Sequence, residues 1–309
     1  MKIGITGVTG LIGSAIAALA KQRGHSVTGF SREFHPIAPV EKGCGAVSSD
    51  SALPHCDDVR IFSLESEPNL AGLDAVIHLA GEPVIGLWTR GKRQRIIASR
   101  RDTTRHLVNA MAKTKDGPRT FLCASGTGFY GHRGSEKLHE LSGQGIGFLS
   151  EVAEVWEDEA RAAELHGIRS CQLRTGMVLA KTGGAFPLLR RIFSIGLGGK
   201  SGNGQQFLPW IHLDDVARLY LHALENPKLS GPINTVAPDE ITNLQFTQAL
   251  GAALHRPTIF PTPEFILRTI LGDLSSIILD SQRVEPRRAL DTGFSFEFQS
   301  IQAALGDLI

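Results

Sequence analysis

The stretch "KIGITGVTGLIGSAIAALAKQRGHSVTGFSR", residues 2–32, decides the fold of this chain. A short apolar run at its start leads into glycines with GxxGxxG spacing and then into an alanine-rich segment with helical periodicity. A second apolar run follows at residues 25–30. Strand, glycine turn, helix and strand in this order predict the first unit of a dinucleotide-binding fold.

The three glycines of this turn are Gly7, Gly10 and Gly13. A turn this tight needs a residue that tolerates positive φ, the pyrophosphate must approach the backbone closely, and the helix must pack against the strand. The helix N-terminus then offers free N–H groups and a partial positive charge to phosphates. The position of the turn between a strand and a helix therefore predicts nucleotide binding.

The end of the second strand indicates which nucleotide is bound. An NAD site usually carries Asp or Glu there, hydrogen-bonded to the ribose hydroxyls. This chain has Ser31 and Arg32 instead, which can hydrogen-bond and neutralise a 2′-phosphate. We therefore expect NADP(H), with a solvated surface role for Arg32 as the alternative.

Strand-like and helix-like segments alternate through the first 180 residues and predict an α/β fold with a doubly wound parallel sheet. The predicted strands after the glycine turn are at 59–64, 73–83, 119–125 and 168–180, and the predicted helices are at 93–113 and 148–167. The glycine-rich segment 181–215 is typical of a loop over a ligand. Residues 239–309 predict a smaller, mostly helical C-terminal subdomain on the substrate side.

Two units follow from this pattern. The Rossmann domain would comprise residues 1–180 and 211–238, and the substrate-side unit would comprise residues 181–210 and 239–309. We expect Asp214 to begin a helix, since the helix dipole favours acidic residues in a first turn.

Composition restricts the class of protein. The 309 residues are 42% hydrophobic and 20% charged, with a net charge of +1, so no nucleic-acid or membrane partner is expected. The four cysteines show no CxxC pair, and no metal site is predicted. The start of the chain lacks the features of a signal peptide, which favours a cytoplasmic protein. Self-association into a homo-oligomer is left open.

Several motifs together resemble the extended short-chain dehydrogenase/reductases, which include nucleotide-sugar epimerases. The match is closer to an epimerase-like, atypical subgroup that ends in a domain of unknown function. It is carried in chain order by "HLAGEPV", "SRRDTTRHLV", "FYGHRG", "LPWIHLDDVA", "NTVAP" and "SQRVEPRRALDTGF". This resemblance covers nearly the whole chain and implies a Rossmann fold that binds NADP(H).

The resemblance also implies which residues contact the cofactor. They would lie in the glycine turn, at the ends of strands and on the long basic helix: Gly7, Gly10, Leu11, Ile12, Gly13, Ser31, Arg32, Leu79, Ala80, Arg100 and Val178. For Arg100, the residues themselves leave a surface arginine equally open.

Ser125 and Tyr130 in "ASGTGFYG" are the candidate catalytic residues. The family uses a serine after this strand together with a later YxxxK, in which the lysine lowers the pKa of the tyrosine so that it can act as a base. Tyr130 precedes that helix, and the expected tyrosine and lysine positions hold Leu149 and Ala153. This chain therefore lacks YxxxK.

Other acid–base groups remain as alternatives, namely Glu151, Glu154 and His132. Two functions are compatible with these features. The first is an NADP(H)-dependent oxidoreductase or epimerase-like enzyme acting on a small carbonyl, hydroxyl or sugar-nucleotide-like substrate. The second is a non-catalytic NADP(H)-binding sensor or regulatory protein.

Overall fold

A computed structural model describes residues 1–31 and 55–309 of the chain. Its strands are β1 (Lys2–Thr6), β2 (Ser26–Ser31), β3 (Asp58–Ile61), β4 (Ala75–His78), β5 (Thr120–Gly126), β6 (Lys137–Leu138), β7 (Arg169–Thr175), β8 (Met177–Leu179), β9 (Trp210–His212), β10 (Gly231–Thr235) and β11 (Arg283–Val284). Its α-helices are α1 (Leu11–Gln22), α2 (Arg90–Lys113), α3 (Phe148–Arg161), α4 (Phe186–Ser194), α5 (Leu213–Glu225), α6 (Asn243–Ala253), α7 (Glu264–Leu271), α8 (Ser276–Leu279), α9 (Arg287–Asp291) and α10 (Ile301–Leu308). Short 3₁₀ segments lie at Thr127–Tyr130, Ala162–His166 and Gly272–Ser275.

A parallel sheet of seven strands forms the centre, in the order β10-β7-β5-β4-β1-β2-β3. The chain reverses direction across the sheet beside β1, so β1 and β4 are neighbours although α1, β2 and β3 lie between them in sequence. Ligands in open α/β sheets bind at the carboxyl ends of the strands beside such a reversal. The predicted Rossmann-type doubly wound sheet is confirmed.

Apolar side chains cover both faces of the sheet. On one face, α1 and α5 pack on the strands through residues such as Ile16, Val216 and Tyr220. On the other face, α2 and α3 contribute Leu107 and Trp156, among others. Both faces of the strands are therefore buried, which explains their nearly continuous apolar sequences.

A smaller, mostly helical C-terminal layer packs beside the sheet, as the sequence predicts. Its core joins α4, α6 and α10 through Phe193, Leu250 and Leu305. Phe294 and Phe296 of the C-terminal part instead pack into the cluster around α5. The proposed division into units 1–180 plus 211–238 and 181–210 plus 239–309 stays a prediction.

The strand predicted at 168–180 is wrong in one respect, because it is two strands. Gly176 ends β7, and β8 leaves the main sheet to pair with β9. A Cβ at Gly176 would lie 2.6 Å from the carbonyl oxygen of Pro209, so only glycine fits this close crossing. The Met177 N–H then donates to the same oxygen over 2.8 Å.

The glycine-rich segment 181–215 is also more ordered than a loop. It contains α4, whose Phe186 and Phe193 are buried against the C-terminal layer. The predicted helix at 148–167 is α-helical only to Arg161, and a 3₁₀ turn then leads to Gly167 in the left-handed conformation at φ 70°. The prediction of a loop at 181–215 relied on the glycine content of the segment. Helical spacing of apolar residues is the stronger signal, and it is present in the part of the segment that forms α4.

In the part of the chain that the structure describes, no helix combines the length and the apolar character needed to cross a membrane.

Candidate functional site

The glycine turn, residues 7–13, lies between β1 and α1 at the carboxyl edge of the sheet. Gly7 has φ +69°, and a Cβ there would lie 3.0 Å from the backbone nitrogen of Ala80. A Cβ at Gly13 would lie 2.3 Å from the carbonyl oxygen of Gly7. The turn can therefore close only without side chains at these positions.

The N-terminus of α1 is open to an anion. Gly10 is its N-cap and offers no side-chain hydrogen bond, and no acidic residue lies in the first turn that begins with Leu11 and Ile12. The first N–H groups of a helix lack partners within the helix, and they point outward together with the positive end of the dipole. This backbone cradle fits the phosphates of a dinucleotide.

Two other predicted contact positions border the same turn. The backbone N–H groups of Leu79 and Ala80, just after β4, donate to Thr6 Oγ1 over 3.2 and 3.3 Å. Ser31 ends β2 in the sheet. Arg32 lies outside the described residues, so its role at a 2′-phosphate stays a prediction.

Arg100 is buried, and the surface role left open for it from the sequence is wrong. Its side chain reaches back over α2, where Nη1 donates to the carbonyl oxygens of Glu82 and Ile96 over 3.0 and 3.1 Å. The guanidinium lies 4.6 Å from the ring centre of Trp156, and burial lowers the pKa of Arg100 to about 10. Arg100 therefore holds the segment after β4 against α2 and α3.

A cavity of about 820 Å³ opens at the carboxyl ends of β5 and β7. Its wall includes residues 125–131, the start of α3, residues 175–177 at the crossing after β7, and residues 268–282, together with side chains from residues 84–100 and 208–209. Val178 of β8 directly follows the crossing. The volume falls in the usual range for small-molecule sites.

Leu149 and Ala153 both line this cavity. The sequence resemblance places the family's tyrosine and lysine at these positions, so by this correspondence apolar side chains stand in place of the usual proton-transfer groups. The cavity wall supplies no substitute base on α3, since Glu151 is exposed and neither Glu151 nor Glu154 lines the cavity.

Ser125, which lines the cavity, belongs to a buried ionic network. Its hydroxyl donates to Glu157 Oε1 over 2.7 Å. Arg174 from β7 donates to both oxygens of Glu157 over 2.8 Å, and both side chains are almost fully buried. The carboxylate thus fixes the serine hydroxyl, and the guanidinium compensates the buried charge.

Tyr130 does not line the cavity and instead contacts Arg174, on the side of the ion pair away from Ser125. Its hydroxyl donates to Asn234 Oδ1 over 2.7 Å and accepts from Arg174 over 3.0 Å, and its side chain is fully buried. Burial raises the pKa of Tyr130, and the nearby Arg174 only partly offsets this. The geometry argues against the predicted catalytic role of Tyr130. We call Ser125, Glu157, Arg174, Tyr130 and Asn234 the buried network.

His78 at the end of β4 has a buried polar environment that the sequence did not indicate. Its Nδ1 lies 2.6 Å from Thr6 Oγ1, and its Nε2 lies 3.2 Å from Thr103 Oγ1. Burial, together with the charge of Arg100, lowers the pKa of His78 to about 3. His78 is therefore neutral and bridges β1 to α2.

The mouth of the cavity contains residues that the sequence analysis missed. Trp88 packs edge-on against Phe148, with ring centres 4.9 Å apart, and Arg93 lies 4.7 Å from the centre of the Phe148 ring. Arg93 also forms an ion pair with Asp273. Trp88, an aromatic residue soon after β4, is the one sequence feature that could have indicated this cluster, because the other members lie far apart in the chain.

His132, another alternative acid–base group, lies outside the cavity wall. It is exposed, and its Nδ1 accepts from the backbone N–H of Ser281 over 3.1 Å. Within residues 1–31 and 55–309, no group of three or more His, Cys, Asp or Glu side chains is arranged to hold a metal ion.

Two family models match the chain. The NAD dependent epimerase/dehydratase family matches residues 3–237, and a domain of unknown function, DUF1731, matches residues 262–308. Both agree with the resemblance inferred from the sequence motifs.

Curated relatives match over nearly their full length. Epimerase family protein YfhF from Bacillus subtilis is 34% identical over 310 residues, covering 100% of this chain and 98% of the relative. Epimerase family protein SDR39U1 from Mus musculus is 35% identical over 318 residues, covering 100% of both.

Solved structures agree with these matches. The crystal structure of human epimerase family protein SDR39U1 (isoform 2) with NADPH has a TM-score of 0.86 and 31% identity, covering 100% of this chain and 99% of that chain. UDP-glucuronic acid 4-epimerase from Bacillus cereus, in complex with NAD, has a TM-score of 0.75 at 19% identity and shows the shared fold alone.

Proposed function

Because this chain belongs to the NAD-dependent epimerase/dehydratase family, we propose that it binds NADP(H) and transfers hydride to or from a substrate in the cavity beside Ser125. The proposed substrate is a small carbonyl or hydroxyl compound or a sugar-nucleotide-like molecule. The cavity carries this proposal, since it opens at the carboxyl ends of β5 and β7, the edge of the parallel sheet at which the glycine turn also lies.

The choice of NADP(H) rests on two observations. Ser31 and Arg32 stand where an NAD site usually has an acidic residue. The human relative, 31% identical over the whole chain, was crystallised with NADPH. The uncapped first turn of α1 and the bare glycine turn fit the phosphates of either dinucleotide.

Bound NADP⁺ would accept the hydride from the carbon of an alcohol, while the hydroxyl proton leaves to water, giving the carbonyl compound and NADPH. The residues of this chain position the substrate oxygen. The Ser125 hydroxyl donates its hydrogen bond to Glu157, so the Ser125 oxygen can accept a hydrogen bond from the substrate hydroxyl. Leu149, Phe148 and Trp156 exclude bulk water from the reacting carbon.

One observation favours the second candidate, a non-catalytic NADP(H) sensor. The family's proton-transfer positions hold Leu149 and Ala153, which cannot exchange a proton, and Tyr130 is committed to the buried network. A sensor requires a partner or an oligomeric state that changes between NADPH and NADP⁺.

Cofactor titrations test the NADP(H) preference that both candidates share, and a turnover screen separates the two candidates. NADPH and NADH titrations give cofactor affinity, and we expect NADPH to bind more tightly. NADPH absorbance then reports turnover across aldehydes, ketones, alcohols and sugar nucleotides. We expect the Ser125→Ala protein to lose turnover but keep NADPH affinity, with Ser26→Ala, at the exposed first residue of β2, as the unaffected control.

Tight NADPH binding without turnover of any compound would reject the enzyme. The sensor would then be tested by sedimentation and partner capture with NADPH and with NADP⁺, and identical results in both states would reject it too.

A further inference from the structure

Among the residues that the structure describes, the cavity wall provides few free hydrogen-bond donors and no unpaired cation for a diphosphate. We infer that the site binds a neutral molecule with an aromatic or other apolar body and a hydroxyl group, rather than a nucleoside diphosphate sugar. This inference rests on the proposed function, because it concerns the substrate of the same cavity.

Three arginines line the cavity, and each already has partners. Arg93 is paired with Asp273. Arg100 donates to two backbone carbonyls, and Arg268 donates to Glu264 over 2.8 Å. A diphosphate needs charge-assisted donors, so it would have to compete with these partners for the three guanidinium groups.

Two acidic groups add to this unfavourable environment. Asp280 lines the cavity and would repel a diphosphate, and Asp273, also in the wall, holds Arg93 in its ion pair. The first turn of α3 supplies backbone N–H groups, but it also carries Glu151, whose charge opposes that of an incoming anion.

The hydroxyl groups of the wall act mainly as acceptors. Five of its six hydroxyl side chains donate to protein oxygens. Ser125 donates to Glu157, whereas Ser150, Thr175, Ser275 and Ser276 donate to backbone carbonyls. Each retains lone pairs that can accept from a ligand hydroxyl.

Neutral donors remain at three places. Within the described ranges, the hydroxyl of Thr127, the side-chain amide of Gln282 and the indole N–H of Trp156 make no hydrogen bond, and all three residues line the cavity. These groups can orient a neutral polar atom. They cannot compensate two phosphate charges.

The remaining wall is largely apolar. Trp88, Phe148, Leu149, Trp156, Met177 and Leu208 supply most of the large side chains. Aromatic walls of this kind bind aromatic rings through dispersion and edge-to-face contacts. The hydroxyl of such a ligand would then donate to Ser125.

The test uses full-length protein saturated with NADP⁺, so that a nucleotide ligand cannot occupy the cofactor position. Calorimetric titrations compare 1-phenylethanol, its deoxy analogue ethylbenzene, and UDP-glucose. We expect 1-phenylethanol to bind about tenfold more tightly than ethylbenzene, the effect of one good hydrogen bond, and UDP-glucose to give no measurable heat.

Ser125→Ala should remove most of the difference between the alcohol and its deoxy analogue while leaving ethylbenzene affinity unchanged. Ser26→Ala should preserve the difference. Binding of UDP-glucose in preference to 1-phenylethanol overturns the inference, and so does binding of neither compound. A difference that survives in Ser125→Ala also overturns it.

The outcome is separable from that of the proposed function. Binding of 1-phenylethanol without formation of a ketone and NADPH supports the inference and counts against hydride transfer. Oxidation of UDP-glucose would support hydride transfer and overturn the inference.

Discussion

The glycine turn and the buried network lie at the same carboxyl edge of the sheet, but they are built from different groups. The turn consists of backbone, and its shape depends on the absence of side chains at Gly7 and Gly13. The network consists of side chains from β5, β7, β10, the 3₁₀ segment and α3. The first is therefore a local property of the sequence, whereas the second exists only in the folded chain.

The comparison also separates family features that are kept from those that are replaced. The backbone cradle for a dinucleotide is intact. The tyrosine and lysine of the family's YxxxK motif are missing from α3. The polar groups beside Ser125 are instead the buried ion pair of Glu157 with Arg174. Four predictions, ordered by expected effect, test this contrast.

The largest effect is expected in the buried network. Glu157→Gln leaves the Arg174 guanidinium buried without its carboxylate, so the free energy of unfolding should fall by about 3–5 kcal/mol. Urea denaturation measures this loss. Glu159→Gln, which breaks the more exposed pair with Arg105, is the control and should cost less than about 1 kcal/mol. Equal losses in the two proteins would show that the network does not stabilise the fold.

The next effect concerns His78, which lies between the two regions. Its pKa of about 3 in the folded protein lies below its ordinary value of 6.5. Between these values the unfolded chain binds more protons, so stability falls as the pH falls through this window. At about pH 4.5 the loss should reach ~3 kcal/mol relative to neutral pH.

Denaturation curves of the wild type and of His78→Asn across this pH range isolate the contribution of the imidazole. The asparagine protein should show a shallower dependence on pH. Parallel curves would mean that His78 takes up its proton equally in the folded and unfolded states.

A smaller loss of stability is expected in the glycine turn. Gly13→Ala places a methyl group against the Gly7 carbonyl, and we expect a loss of about 1–3 kcal/mol together with weaker NADPH binding. Gly306→Ala is the matched control, since a Cβ at this exposed position of α10 meets no atom within 4 Å. The control should be neutral or stabilising, because alanine favours the helix. Unchanged NADPH affinity in Gly13→Ala would contradict the proposal that the glycine turn holds the phosphates of the cofactor.

The smallest effect is expected for Tyr130. Tyr130→Phe removes a hydrogen bond to Asn234 and should cost about 1–2 kcal/mol in unfolding free energy, while NADPH affinity and any turnover stay unchanged. Tyr220→Phe is the control, because this buried hydroxyl has no hydrogen-bond partner in the part of the chain described. A loss of turnover in Tyr130→Phe but not in Tyr220→Phe would support the catalytic role that the sequence predicted for Tyr130.

The sequence could predict the fold and the glycine turn because both depend on local patterns. GxxGxxG between a strand and a helix specifies a shape regardless of distant residues. Motif order also identified the family, and the absence of YxxxK was visible from Leu149 and Ala153 alone.

The surroundings of Ser125, Tyr130 and Arg100 could not be predicted in this way. The sequence left a surface position open for Arg100, because the pattern of a basic helix does not indicate which of its arginines is buried against Trp156. The pairing of Glu157 with Arg174 joins α3 to β7, and no local periodicity encodes that contact. The end of the strand at Gly176 could not be predicted either, because Gly176 packs against Pro209, which is more than thirty residues away in the sequence.

The position of β10 at the edge of the sheet has a consequence for the order of folding. Asn234 on β10 accepts from Tyr130, and its N–H donates to Glu140 over 3.1 Å, so the buried network is complete only after this late strand docks on β7. During synthesis, β7 emerges about fifty-five residues and β5 about a hundred residues before β10, so the pair of Glu157 with Arg174 stays open to water until β10 docks. We expect pulse-labelling hydrogen exchange to show amides of β1 and β2 protected before those of β5 and β7, whose protection rises together with that of β10.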